Sequence, residues 1–135
     1  LVNIVKLKKG EDIVDENGEL IYKNESLTLP AKKARSYAYC SDTKFDESIT
    51  QYFEGVDLLY HESTFLDDMI DRAAITYHCT AKQAAQIGKT AHVKELLLGH
   101  FSARYKDISP FLFEAIQVFE PTRLAIEGDI IELHE

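Results

Sequence analysis

Leu96-Leu97-Leu98-Gly99-His100-Phe101-Ser102-Ala103-Arg104-Tyr105 sets an apolar run against a histidine and a polar, cationic tail. Three leucines closed by Gly99 predict a short strand buried on both faces, and ligands of such sheets gather where the strands end. His100 would then stand on a rim. Taken singly it reads first as a satisfied histidine closing a core strand. Its company changes that reading.

Upstream and downstream of this stretch, strands alternate with helices. Ser36 to Cys40, Val56 to Tyr60 and Glu95 to Gly99 read as strands. Glu47 to Phe53 reads as a helix after a polar turn, and Leu66 to Ala74 as an acidic helix. Thr80 to His92 is the best-marked helix, with Thr80 as N-cap, Gln83 completing a capping box, and Ala84, Ile87 and Ala91 at helical spacing. Asp107 can cap a helix with Pro110 in its first turn and Phe111, Ala115, Val118 and Phe119 on its apolar face. Leu124 to Ile126 and Ile130 to Leu133 are expected as two closing strands around Gly128-Asp129. The pattern places the chain in the α/β class.

Residues 1–35 have a different texture. Ile13-Val14, Asn17-Gly18 and Leu20-Ile21-Tyr22 predict a hairpin, followed by a basic lead-in, Pro30 to Arg35, that reads as a solvated loop. Residues 36–135 carry the alternating pattern.

The 135 residues are 45% hydrophobic, enough to fill the core of one domain. A net charge of −8 argues against broad attraction to nucleic acid, although metal ions or a separate basic element can supply a positive field. Cys40 and Cys79 each sit beside a polar motif and form no disulfide framework, which suits a reducing compartment. The apolar runs are too short to span a bilayer, and Leu1 to Lys9 has scattered lysines in place of an apolar signal block, so a cytoplasmic protein is expected. A first residue that is leucine predicts an excised piece of a longer chain.

Four polar clusters follow apolar strands or precede helix N-termini: Ser41-Asp42-Thr43, His61-Glu62-Ser63-Thr64, His78-Cys79-Thr80, and His100 with Ser102 and Arg104. One rim could thus gather carboxylates, imidazoles and a guanidinium. Asp42 can bridge two cations and His100 can offer a ring nitrogen to one of them, but a two-metal hydrolase needs several more ligands. Each residue has a plainer alternative. Asp42 fits a capping turn, His78 a helix-start contact, His61 and Glu62 a polar pair under a loop, and Arg104 a surface ion pair.

In this order the four clusters resemble the C-terminal half of ribonuclease Z, the transfer-RNA 3′-processing endoribonucleases of the metallo-β-lactamase superfamily, from Pro30 to the C-terminus. Gly99 stands where threonine is usual, Ser63 where alanine is, and Cys79 where serine is. The resemblance implies the second half of an αββα sandwich, with residues 1–35 following a protruding arm. It implies Asp42 and His100 as metal ligands, His78 assisted by Glu62 as proton donor with His61 beside them, and Ser102 and Arg104 on substrate phosphate. The family's first metal motif, H-x-H-x-D-H, does not occur in the sequence.

The resemblance further implies a two-zinc endoribonuclease that removes the 3′ trailer of precursor tRNA, inactive as this chain alone, its uncovered sheet face driving homodimerisation or other self-association. Two alternatives stay open: another hydrolase of the same fold acting on small esters or phosphodiesters, and a noncatalytic α/β interaction module.

Overall fold

The computed structural model describes residues 2–30 and 32–133. In chain order the elements are α1 (Val2–Lys8), β1 (Ile13–Val14), β2 (Leu20–Tyr22), α2 (Asn24–Leu27), β3 (Tyr37–Cys40), β4 (Leu58–Glu62), α3 (Ile70–Thr76), α4 (Ala81–Thr90), β5 (Leu96–Gly99), α5 (Ser109–Ile116) and β6 (Thr122–Leu124), with 3-10 turns at Glu47–Tyr52 and Asp67–Met69. The chain divides into two compact units, Leu1–Ala34 and Arg35–Glu135.

In the first unit β1 and β2 pair antiparallel as the Asn17-Gly18 signal predicts. Asp15 Oδ1 accepts from the backbone of Asn17 and Glu19, tightening the turn, and these hydrogen bonds hold its carboxyl below the usual range. The Asn24 side chain donates to the carbonyls of Leu7 and Glu11, tying the start of α2 to the end of α1 and the turn after it. Helix α1 has no clear signal in the sequence, because its lysines mask the spacing of Ile4, Val5 and Leu7.

In the second unit four strands form a parallel sheet in the order β3-β4-β5-β6. Consecutive strands joined by crossovers of one hand keep their helices on one face. That face carries Ala38 and Cys40, Leu59 and His61, and Leu96 and Leu98, in register across the sheet. The leucines meet Ala84, Ala85 and Ile87 of α4 and Phe111 and Ala115 of α5, all buried. Alanines along α4 let its backbone approach the sheet closely. Its start is fixed as predicted: Thr80 Oγ1 accepts from Gln83 N at 3.2 Å and Gln83 Oε1 accepts from Thr80 N at 3.0 Å.

The opposite face carries Tyr37 and Tyr39, both exposed, and the half-buried Tyr60, which stacks on Tyr39 with ring centroids 4.6 Å apart. Leu58 and Leu97 lie on the same face by register and are buried, so the exposed apolar surface there is that of Tyr37 and Tyr39.

Several boundaries differ from expectation. The Glu47–Tyr52 segment is 3-10, not α-helical, since a segment so short gains little from nucleating an α-helix. The acidic segment begins as a 3-10 turn and becomes helical only at Ile70. Strand β4 runs two residues further than its apolar content suggests, because Cys40 pairs with His61 and Gly99 with Glu62. Val118 and Phe119 pack on the core beyond the end of α5. Ile130 to Leu133 is not a strand; Ile130 is 90% exposed and has no ladder to join among the described residues.

A Cβ at Gly99 would fall within 2.5 Å of ring carbons of Tyr60. Gly99→Ala should therefore break the Tyr39–Tyr60 stack and destabilise the chain by about 1–3 kcal/mol in urea denaturation, the usual cost of overpacking. Adding Tyr60→Ala should recover part of that loss; an undiminished penalty in the double variant would show the clash lies elsewhere.

Candidate functional site

The C-terminal ends of β3, β4 and β5 place Ser41-Asp42, Glu62 and His100 side by side, because parallel strands deliver their following residues to one edge. His78 arrives from the helical side. Tyr77 ends α3 in left-handed backbone (φ 59°), and a parallel bridge between Phe65 and Thr80 ties the His78 turn to the loop after β4. Asp42, His78 and His100 each offer one ligand atom, all within 4.8 Å of one another. Asp42 Oδ1 is 3.2 Å from His100 Nε2, and the two imidazole centroids are 5.3 Å apart.

Beneath this group sits Glu62, with no solvent exposure. Its Oε1 accepts from His78 Nδ1 at 2.8 Å and from the backbone N–H of Thr43 at 3.2 Å. Its Oε2 accepts from the N–H and hydroxyl of Thr64 at 3.0 and 2.8 Å. A carboxylate can donate nothing, so His78 carries its proton on Nδ1 and keeps Nε2 for other work. Four donors on one buried carboxyl satisfy a group whose burial would otherwise be prohibitive.

Asp42 and His100 adopt left-handed backbone, φ 52° and 59°. Such conformations at non-glycine residues are sparse and concentrate at sites where geometry is constrained for function. Arg104 donates from Nε to Ser102 Oγ at 3.1 Å, and its guanidinium carbon stands 5.0 Å from the centre of the Phe65 ring. Phe65 in turn meets His78 edge-on at 6.2 Å. Arg104 and Ser102 thus flank the same rim.

His61 is not brought into this group. It belongs to the helix-covered face, fully buried, with Nδ1 2.7 Å from the Glu62 carbonyl and no partner for Nε2 among the described residues. Burial holds its protonation below the ordinary imidazole range. Cys79, also fully buried, donates from Sγ to the Thr43 carbonyl, and burial pushes its thiol strongly up; it is no nucleophile. Burial raises the Cys40 thiol as well. The Thr43 and Thr64 donors to Glu62 are additions that the motifs alone do not reveal. A threonine two residues after a buried glutamate is the available sign.

The donor set suits a borderline cation: one carboxylate and two imidazoles, at least one with its tautomer already fixed. Three donors leave any zinc ion short of a closed shell of four. Among the described residues no helix is long and apolar enough to cross a membrane.

No protein-family model matches the chain. It is 56% identical over 128 residues to a ribonuclease Z of Cytophaga hutchinsonii, covering 95% of this chain and 41% of that protein. A ribonuclease Z of Parabacteroides distasonis is 50% identical over 123 residues, covering 91% of this chain and 40% of its own length. Among solved structures, the metallo-β-lactamase fold protein YhfI from Bacillus subtilis matches at TM-score 0.68 and 27% identity, over 73% of this chain and 40% of that one. Human tRNase Z, short form, matches at TM-score 0.61 and 25% identity, over 78% and 36%. The chain spans about two fifths of the length of the curated relatives it matches.

The buried His61 makes stability depend on pH. The unfolded chain takes up a proton near pH 6.5 that the folded chain resists, so folded stability is whole above that value and declines as pH falls below it. Urea midpoints should drop between about pH 7.5 and about pH 5.5, and His61→Gln should flatten that slope. Parallel slopes in the two proteins would remove His61 as the cause.

Proposed function

We propose that this chain, homologous to proteins named ribonuclease Z and built on the metallo-β-lactamase fold, is part of a zinc-dependent, cytoplasmic endoribonuclease that removes the 3′ trailer of precursor tRNA. The observation that carries the reading is the buried Glu62 holding His78 beside Asp42 and His100.

In this reading Asp42 and His100 would hold metal, and zinc, when bound, would supply positive charge near the phosphoryl oxygens and activate a water. The chain's own residues do the rest. Glu62 fixes the His78 ring through Nδ1, so that Nε2, after taking up a second proton from solvent, would pass that proton to the leaving 3′ oxygen. Arg104 spends Nε on Ser102 and keeps its terminal nitrogens for substrate phosphate. His61 lies buried on the other face of β4 and has no part in this proton path.

In the complete protein that carries this chain, His78→Ala should lower the rate of precursor tRNA cleavage about 10²–10⁴-fold, the usual worth of a positioned general acid. A noncatalytic module would lose nothing from Asp42→Ala, His78→Ala or His100→Ala. The 135-residue chain alone should neither hold two zinc ions by elemental analysis nor cleave precursor tRNA. Stoichiometric zinc together with turnover would overturn the incomplete-site reading.

The exposed tyrosine face is the basis for a further expectation. Parallel sheets are ordinarily covered on both sides, and an open apolar face associates. Light scattering of the chain should show a dimer or larger species, diminished by Tyr37→Lys with Tyr39→Lys; a monomer at high concentration would count against this.

A further inference from the structure

We propose that Thr64 is a positioning residue that fixes the tautomer of His100, so that one buried carboxylate, Glu62, orients both imidazoles of the site. The proposal rests on the reading of His100 as a metal ligand.

The available protons decide the matter. Thr64 Oγ1 is 2.8 Å from Glu62 Oε2 and 2.9 Å from His100 Nδ1. A hydroxyl has one hydrogen to give. Glu62 Oε2 also accepts from Thr64 N, and Oε1 accepts from two further donors, so the carboxyl acts throughout as an acceptor. The hydroxyl hydrogen therefore goes to Glu62, and the oxygen can meet His100 only by accepting. The Nδ1 of His100 must therefore carry a hydrogen, and the neutral ring then has its lone pair on Nε2.

The opposite assignment fails on the same distances. If Thr64 donated to His100, its oxygen would face Glu62 Oε2 at 2.8 Å with no hydrogen between them. In the favoured arrangement the unfilled acceptors are instead His100 Nε2 and Asp42 Oδ1, 3.2 Å apart at the rim. Two acceptors facing each other there are an arrangement that a shared cation stabilises. Glu62 thus acts on His78 directly and on His100 through one hydroxyl. Tautomer control by a neighbour of a ligand histidine is a general device, and losing it typically weakens metal binding about 10–100-fold.

Thr64 is well placed for this. It lies just beyond β4, is buried, and is pinned at N–H by Glu62 and at its carbonyl by the N–H of Ser102 at 3.1 Å. The hydroxyl is thus carried on backbone that is held on both sides.

The test is long-range 1H–15N spectroscopy of the histidine rings in the 135-residue chain, at about pH 8.5 where imidazole is neutral. His100 should show the Nδ1–H form in the unsubstituted chain, and zinc titration should perturb its Nε2 resonance. Thr64→Val should shift His100 toward Nε2–H and weaken the apparent zinc affinity about 10–100-fold, while His78 keeps its Nδ1–H form. Thr64→Ser should restore both. An Nε2–H tautomer in the unsubstituted chain, or no change in Thr64→Val, would overturn the proposal. So would equal loss at His78 and His100, which marks collapse of the loop. The predicted tautomers with no response of His100 to zinc in the complete protein that carries this chain would support the role of Thr64 and overturn the metal-ligand reading of His100.

Discussion

A carboxylate removed from water and surrounded by donors is the constraint on which the rest of the site depends. Glu62 is an in-register residue of a central parallel strand, so its position is set by the sheet and not by a loop. Its donors come from the loop after β3, from the residue two beyond it in the chain, and from the turn before α4. Loss of the carboxylate would leave all of them buried or half-buried without an acceptor, at a cost of about 1–3 kcal/mol for each fully buried group. Folding of the sheet edge and assembly of the site are one event.

The arrangement follows from topology. Three adjacent parallel strands end at the same level, and each ends on or leads into a residue that can serve a cation or a proton. Helices α4 and α5 lie against one side of the same strands, where Leu59, Leu96 and Leu98 close the core. The sheet therefore separates a dry, aliphatic support from a polar edge. The former fixes the positions of the residues that gather at the latter.

Much of this is legible in the sequence, for physical reasons. The Thr80–Gln83 capping box, the buried leucine strand and the Asn17-Gly18 hairpin are local rules that tertiary packing does not override. What stays hidden is nonlocal. His61 and Glu62 are polar and read as loop, yet they extend β4 because neighbouring strands continue to pair with them. Ile130 to Leu133 is apolar and reads as strand, yet has no edge to join among the described residues. Which residues meet at the rim is readable from the order of motifs; that His61 faces the opposite way follows from strand alternation. That rule applies to His61 and Glu62 directly, since adjacent strand residues cannot share a face.

Left-handed backbone at Asp42 and His100 works against the fold that carries it. Each conformation costs about 1 kcal/mol or more relative to glycine, and both persist on the strength of the surrounding protein alone. Selection for stability alone would place glycine at these two positions. Aspartate and histidine at these two positions carry a conformational cost that glycine would avoid, and they carry it where their side chains come within 3.2 Å of each other.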